Sequence, residues 1–228
     1  GATQTPDCRF APCSACGVCE GEIATIIRPE ASPTPIFSGS TPGRFPYTLG
    51  ITKEQTLSLI GNRDWIELLK RAFRRSGLAA SYTEGFSPSM RLTLIPPTTL
   101  GIPSRSEYLQ IDLQQAYVPE EIIARLAPQL PPSARILSCA PGRLKPVQAY
   151  VFRLDRALAL KIPPDATIQK GNSTLRVWDF LEFLDQQTMR IRFIQGRTIS
   201  PAAILAAFGD GSLLAGDITK IETVFEEL

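Results

Sequence analysis

Four of the five cysteines in the chain lie close together in its first twenty residues. They follow the spacing C-x4-C-x2-C-x2-C, in which thiolates two residues apart can turn towards a common centre. Gly17 favours that turn, because glycine tolerates positive φ. We therefore predict a single metal centre whose ligands are Cys8, Cys13, Cys16 and Cys19.

The spacing allows more than one kind of centre. Zinc ribbons bring together two separated C-x2-C pairs, whereas an overlapping C-x2-C-x2-C run resembles the [4Fe–4S] run of bacterial ferredoxins. An iron–sulfur cluster is therefore favoured over zinc, and an unmetallated or oxidised cluster is the third alternative. In two-cluster ferredoxins the fourth cysteine serves the other cluster, so a group other than Cys8 could complete the site. Cys139 is in an apolar run, which favours an ordinary buried cysteine.

Composition restricts the remaining chemistry. The 228 residues are 43% hydrophobic and 20% charged, which suffices for one large domain or two modest ones. The chain has no histidine, which excludes a Ser-His-Asp triad, a Cys-His pair and histidine-bearing metal sites. No apolar stretch approaches the roughly 20 residues that cross a bilayer, and no signal-peptide core is present. We expect a cytoplasmic protein without a membrane partner, and in that reducing compartment clustered cysteines favour metal binding.

A second group of candidate residues is basic. Between Gly61 and Arg105, seven basic residues accompany three acidic ones, an excess that could attract phosphate. Several of these charges repeat at i, i+4 on one helix, which destabilises it unless something compensates. The alternative is a solvated helix face on which Glu67 pairs with Arg71. The predicted phosphate or RNA ligands are Arg63, Lys70, Arg71, Arg74, Arg75 and Arg91.

The segment 81–92, SYTEGFSPSMRL, supplies a third group. Its Gly85 and Pro88 indicate an ordered turn, and loops of this kind often carry function. The polar side chains could bind a ligand, or they could close the loop upon itself. The predicted ligand-loop residues are Glu84, Gly85, Phe86, Ser87 and Ser89, together with Glu107 further along the chain.

These residues need elements to position them. Residues 29–46 are rich in Pro, Ser, Thr and Gly, which predicts a linker. Beyond it the pattern predicts a strand at 56–61, a helix capped by Asp64 and ended by Gly77, strands at 91–97 and 107–113, a helix that begins at Pro119, and a strand at 134–140. This β-α-β-β-α-β order is typical of a ferredoxin-like split βαβ unit.

A second, smaller α+β subdomain is predicted after residue 145. It contains a strand at 148–155, a helix around 177–186, a strand at 189–194, a helix from Ser200 or Pro201 to Phe208, and a terminal strand. The predicted fold class is therefore α+β. Its parts are a Cys-rich leader (1–28), a linker (29–46), a ferredoxin-like domain (47–145) and a C-terminal subdomain (146–228).

The run from Arg63 to Leu113 resembles the radical-SAM-linked domain of unknown function found at the C-terminus of certain bacterial radical SAM proteins. Its signature is an Asp that opens a helix, an E/K-R-A-x-R-R segment, an S/T-x-G-F-x-P loop and an L-G-x-x-S-x-x-E-Y turn. These lie here at Asp64, Lys70–Arg75, Thr83–Pro88 and Leu100–Tyr108. The D-C-R…C-x-x-C-G-x-C leader is similar to the segment that precedes this domain in the members that also carry a cobalamin domain.

The resemblance implies an association with radical SAM chemistry. Members commonly have histidine just before the helix-opening Asp and after the proline of the loop, where this chain has Asn62, Arg63 and Ser89. The C-x3-C-x2-C motif of the radical SAM core is absent. We therefore expect a C-terminal fragment or a split-off partner of that core, which alone would use S-adenosylmethionine and cobalamin.

Three functions follow as hypotheses. The chain is an accessory and substrate-recognition region of a radical SAM enzyme, without complete catalytic machinery of its own. Alternatively, it is an RNA-binding module whose basic helix holds the phosphate backbone, or a docking domain stapled by structural zinc. An autonomous hydrolase is disfavoured, because no nucleophile has an identifiable base.

Overall fold

A computed structural model describes residues 43–155, 162–209 and 215–226. They form a mixed α+β protein with a mostly antiparallel sheet. The strands are β1 (Phe45–Lys53), β2 (Leu92–Leu94), β3 (Ser104–Leu113), β4 (Ile136–Pro141), β5 (Val147–Leu154), β6 (Thr167–Lys170), β7 (Ser173–Arg176), β8 (Leu181–Phe183), β9 (Thr188–Arg192) and β10 (Ile218–Phe225). The helices are α1 (Asn62–Ser76), α2 (Pro119–Leu126), α3 (Val177–Phe180) and α4 (Pro201–Phe208).

One sheet runs through both halves of the described chain. Its strand order is β4-β1-β3-β10-β5-β9-β8, and β2 pairs with β3 as well. In the first half, β4, β1, β3 and β2 pair antiparallel in that order, which is the strand order of a split βαβ unit. In the second half, β5 pairs antiparallel with β9 and β10. The predicted second subdomain is thus joined to the first through the pairing of β3 with β10.

A first hydrophobic core lies between α1, α2 and the sheet. Trp65, Leu69 and Phe73 recur at helical spacing on α1 and are almost completely buried, as the sequence predicts. Burying a leucine or phenylalanine side chain of this kind contributes roughly 1.5 to 3 kcal/mol. Gly77 ends α1 in the left-handed conformation, with φ of 70°.

A second hydrophobic core lies in the C-terminal half. Phe152 and Leu154 of β5, Ile191 of β9, Ile204 of α4 and Ile218 of β10 contribute to it, and each is buried. The terminal helix begins where the sequence predicts, because the Ser200 hydroxyl accepts a hydrogen bond from the backbone N–H of Ala203. The two cores pack on different parts of the same sheet.

Two predictions near the start of the described chain are wrong. The predicted strand at 56–61 is instead largely a 3-10 helix, Gln55–Leu59, and the strand lies earlier, at Phe45–Lys53. The predicted linker therefore overlaps β1 by two residues, and its remaining part up to residue 42 lies outside the described residues. Asp64 is in the first turn of α1, whereas the N-cap is Gly61, which offers no side-chain cap.

The predicted helix at 177–186 is also wrong. Only Val177–Phe180 is helical, and Leu181–Phe183 then forms β8, which pairs antiparallel with β9. The β8–β9 hairpin forms instead of a longer helix because it buries Leu181 against the second core and completes backbone hydrogen bonds to β9. Among the described residues, no helix combines the length and apolar character that crossing a membrane requires.

Candidate functional site

Some basic side chains of α1 form an ion pair or hydrogen bond with another residue of the protein, and others form neither. Lys70 forms the direct ion pair with Glu67, at 2.8 Å, whereas Arg71, the predicted partner, interacts with Glu67 only through the longer-range attraction of its charge. The hydrogen bond from Lys70 is the main cause that lowers the pKa of Glu67. Arg75 donates to the backbone carbonyl of Gln129 at 2.7 Å. Two of the six predicted phosphate ligands are therefore held by neighbouring residues.

The other arginines of α1 are free to meet a partner. Arg63, Arg71 and Arg74 are exposed, and none forms an ion pair or hydrogen bond with a described residue. Arg71 and Arg74 are three residues apart, which places them on neighbouring positions of the helix surface. The sixth predicted ligand, Arg91, is half-buried and donates its Nε–H to the carbonyl of Tyr82 at 3.0 Å. The basic surface that is free to meet a partner is therefore smaller than the sequence predicts.

The loop Thr83–Ser89 is closed at its base. The backbone N–H of Thr83 donates to the carbonyl of Ser89 at 2.8 Å, and the N–H of Ser89 donates to the Thr83 hydroxyl at 2.9 Å. Gly85 has φ of 118°, a conformation that few other residues adopt. The loop therefore closes upon itself, as one of the two alternatives predicts, and ligand binding by its exposed side chains stays a prediction.

The tip of this loop carries an aromatic side chain in water. Phe86 is fully exposed, and Glu84, Ser87 and Ser89 are exposed beside it. Glu84 forms an ion pair with Arg44 at 3.3 Å between two solvent-exposed side chains. Single exposed apolar side chains are common on protein surfaces, so Phe86 is a candidate contact residue because of its place at the tip of a closed loop.

Glu107 is not part of that loop surface. It lies in β3 with 3% of its surface exposed, and its carboxylate forms an ion pair with Lys220 of β10 at 2.8 Å. The Thr98 hydroxyl donates to the same carboxylate at 2.7 Å. The structure thus separates Glu107 from the other predicted ligand-loop residues and gives it a place at the junction of the two halves.

Lys220 is a buried charge that sequence reasoning missed. Its side chain is fully buried, and its ammonium nitrogen also lies 4.1 Å from the centre of the Tyr150 ring. Burial lowers the pKa of Lys220, against the attraction of Glu107, which raises it. Burial, and secondarily the charge of Glu107, raise the pKa of the Tyr150 hydroxyl. The available signal was a lysine at an inward position of the alternating run ITKIETVF.

The predicted metal ligands cannot be placed by this structure. Cys8, Cys13, Cys16 and Cys19 all lie outside the described residues. Cys139 is a half-buried free thiol on β4 beside the first core, and burial is the main cause that raises its pKa to about 11. The described part of the chain contains no group of three or more Cys, Asp or Glu side chains that could hold a metal ion.

The described residues form a mixed α+β protein with a mostly antiparallel sheet. The model of a family described as "Uncharacterized protein conserved in bacteria (DUF2344)" matches residues 47–170, and the chain belongs to this family. The matched region includes α1, the loop and Glu107, whereas Lys220 follows it. No curated protein matches the chain.

Proposed function

We propose that this chain is an accessory, substrate-recognition region of a radical SAM enzyme, without complete catalytic machinery of its own. The observation that supports this most is the closed loop Thr83–Ser89 with Phe86 exposed at its tip. These residues belong to the S/T-x-G-F-x-P segment by which the sequence resembles radical-SAM-linked domains. The acidic residue of the same signature, Glu107, is paired with Lys220 inside the fold.

The residues of the loop divide between shape and contact. Thr83 closes the base, and Gly85 provides the backbone conformation that the tip requires. Because the loop is already ordered, binding through Phe86 would lose little conformational entropy. Rigid aromatic anchors contribute to binding in this way. The proposed partner of this surface is the radical SAM core, either in the same parent chain or as a separate subunit.

The test measures binding to that core. The DNA directly upstream of the coding sequence is first searched for a radical SAM core, whose absence contradicts the proposal. A core found there is titrated with the full chain in an anaerobic calorimeter. We expect Phe86→Ala to weaken binding at least about tenfold, because truncated aromatic anchors cost 2 kcal/mol or more. Leu137→Ala is the control, since Leu137 is 56% exposed on the edge strand β4. Unchanged affinity of Phe86→Ala, or no binding by the unaltered chain, contradicts the proposal.

The cysteine cluster carries the second part of this proposal. Cys8, Cys13, Cys16 and Cys19 hold an iron–sulfur cluster that is structural or transfers electrons, and zinc is the alternative metal. Anaerobic purification followed by absorption spectroscopy and metal analysis distinguishes the two. A brown protein with iron supports the cluster. Stoichiometric zinc without iron defeats it and favours the zinc-stapled docking domain.

RNA binding is a second candidate function, and the exposed arginines of α1 favour it. Arg71 and Arg74 lie side by side and form no ion pair or hydrogen bond with a described residue; their charges act on Glu67 only at longer range, so they can bind phosphate without breaking a direct contact. We expect Arg71→Glu with Arg74→Glu to lower affinity for a structured RNA more than tenfold and to reduce its salt dependence. Arg143→Glu with Lys145→Glu is the control, because it changes the net charge equally at exposed positions after β4.

The RNA measurement has a clear contrary result. Equal loss of affinity in both double variants would mean that net charge alone attracts RNA. Unchanged affinity in the α1 variant would remove this surface from RNA binding. Either result leaves the proposed role in a radical SAM enzyme to its own calorimetric test.

A further inference from the structure

A cavity of about 410 Å³ lies in the C-terminal half of the protein. The residues that line it come from β5, β6, β9, the start of α4 and the segment 96–99 that follows β2. Neither α1 nor the loop Thr83–Ser89 contributes a described lining residue. Cavities of this volume typically hold small molecules.

Three aromatic side chains give the cavity its apolar character. Tyr150, Phe152 and Phe193 all line it. The Tyr150 ring packs edge-to-face against Phe193 at 5.0 Å between ring centres and against Phe152 at 6.2 Å. Tyr150 and Phe152 are only 5% and 2% exposed, whereas Phe193 is half-buried, so Phe193 is the most accessible of three rings that hold one another in place.

Tyr150 is held in place from two sides. Its hydroxyl donates to the backbone carbonyl of Pro96, which also lines the cavity. The buried ammonium group of Lys220 lies over its ring. A side chain fixed before the ligand arrives loses little rotational freedom on binding. The aromatic surface is therefore preorganised.

The cavity has a positive end. Among the described residues that line it, Lys170 is the charged one, and acidic side chains are absent. Its ammonium group donates to the carbonyl of Thr198 at 2.8 Å and has two further N–H donors. Ser200 and Pro201, at the N-terminus of α4, also line the cavity. Pro201 has no N–H and the Ala203 N–H is bonded to Ser200, so α4 favours an anion here through the positive end of its dipole alone.

We propose that this cavity binds a compact molecule with a planar apolar body and one anionic group, as in an aromatic carboxylate. The planar body packs against the aromatic lining, in which Phe193 is the most accessible ring. The anionic group lies at Lys170 and the start of α4. This site is separate from the loop surface, and the assignment does not depend on the proposed role in a radical SAM enzyme.

The experiment compares two fluorescent probes of nearly the same shape. 8-Anilinonaphthalene-1-sulfonate carries one anionic group, and N-phenyl-1-naphthylamine carries none. Titrated into the full chain, the sulfonate is expected to bind more tightly, and Lys170→Gln to weaken it about fivefold while leaving the neutral probe unchanged. Arg176→Gln is the control, because it removes one positive charge from the adjacent strand β7 outside the cavity lining.

A second variant tests whether the probes occupy this cavity. Ala203→Phe, on α4, fills the space and is expected to abolish binding of both probes. Thr99→Trp repeats the test from the segment 96–99, and far-UV circular dichroism establishes that each variant is folded. Binding of either probe that persists in the folded, filled variants overturns the site. Equal loss of the sulfonate in Lys170→Gln and Arg176→Gln overturns the assignment of the anionic end.

Discussion

The two halves of the sheet carry different kinds of candidate site. In the first half, α1 and the loop Thr83–Ser89 place Arg71, Arg74 and Phe86 in solvent, where they can contact a large partner. In the second half, three aromatic side chains help to line a partly open cavity that suits a small molecule. One continuous sheet thus supports an outward contact surface and an inward binding space.

The ion pair between Glu107 and Lys220 lies where these halves meet. Glu107 belongs to β3 beside the first core, and Lys220 belongs to β10 beside the second. The Thr223 hydroxyl of β10 also donates to the carbonyl of Ser106 at 2.7 Å. Buried ion pairs offset a large desolvation cost by close geometry, so removal of either partner is expensive. We therefore expect the stabilities of the two halves to be coupled through this ion pair.

The largest expected effect comes from breaking that pair. Lys220→Met leaves the carboxylate of Glu107 buried without its counter-charge, and we expect unfolding free energy to fall by about 3 to 5 kcal/mol. Urea unfolding measures this by tryptophan fluorescence, because Trp65 lies in the first core and Trp178 in the second half. Trp178→Phe and Trp65→Phe backgrounds isolate the two signals.

The same variant tests the coupling of the halves. In the two backgrounds that keep Lys220, we expect the fluorescence of Trp65 and of Trp178 to change at the same urea midpoint. In the presence of Lys220→Met, we expect the two midpoints to differ. Glu107→Leu combined with Lys220→Met is expected to recover part of the loss, since the buried charge that remains nearby, Lys53, still donates to the carbonyl of Ile60. A fall in unfolding free energy below about 1 kcal/mol, with coincident midpoints, would contradict the proposed coupling of the two halves through this ion pair.

The sequence indicates the first half better than the second. The spacing of Trp65, Leu69 and Phe73 indicates α1, because a long helix repeats its apolar face several times. By contrast, the run 177–186 is short enough to fit a helix or a hairpin, and its partner strand β9 decides the outcome. The early strand β1 was missed because Pro46 and Gly50 obscure the alternation of its buried residues.

The candidate sites differ in the same way. The exposed loop could be predicted from Gly85 and Pro88, whose backbone preferences are local. The pairing of Glu107 with Lys220 could not, because strand order brings together residues far apart in the chain. The cavity was likewise invisible, since its aromatic lining depends on the pairing of β5 with β9.

The caps of α4 and α1 provide an intermediate effect. Ser200→Ala removes the hydroxyl that accepts from Ala203, and we expect a loss of about 1 kcal/mol in urea unfolding. Gly61→Ser is the matched change in the first half, because α1 has no side-chain cap there. We expect it to add a few tenths of a kcal/mol. Equal effects of opposite sign would contradict the difference between the two helix starts.

The smallest effect concerns exposed ion pairs. Glu182 contacts Arg192 at 2.7 Å and Arg190 at 3.2 Å, and the hydrogen bond from Arg192 is the main cause that lowers its pKa. Because the folded-state pKa is below the unfolded value, the stabilisation is present above the unfolded pKa and lost as pH falls through the folded one. We expect Glu182→Gln to lower the melting temperature by at most about 2 °C at pH 7.

The pH series and a matched variant check this effect. The difference between Glu182→Gln and the unaltered chain should vanish in acid, where the carboxylate is protonated in both states. Glu67→Gln is expected to cost less, because Glu67 has one ion-pair partner, Lys70, instead of two. A difference that persists unchanged in acid would assign the effect to packing rather than charge.

We propose that α1 and the loop Thr83–Ser89, on the surface of the first half, recognise a radical SAM core. If a radical SAM core is encoded upstream, hydrogen–deuterium exchange of the full chain with and without that core gives the most direct test. We expect binding to slow exchange at residues 83–90 and along α1, while residues 167–170 and 198–203 around the cavity stay unchanged. Protection around the cavity with none at residues 83–90 would contradict the account.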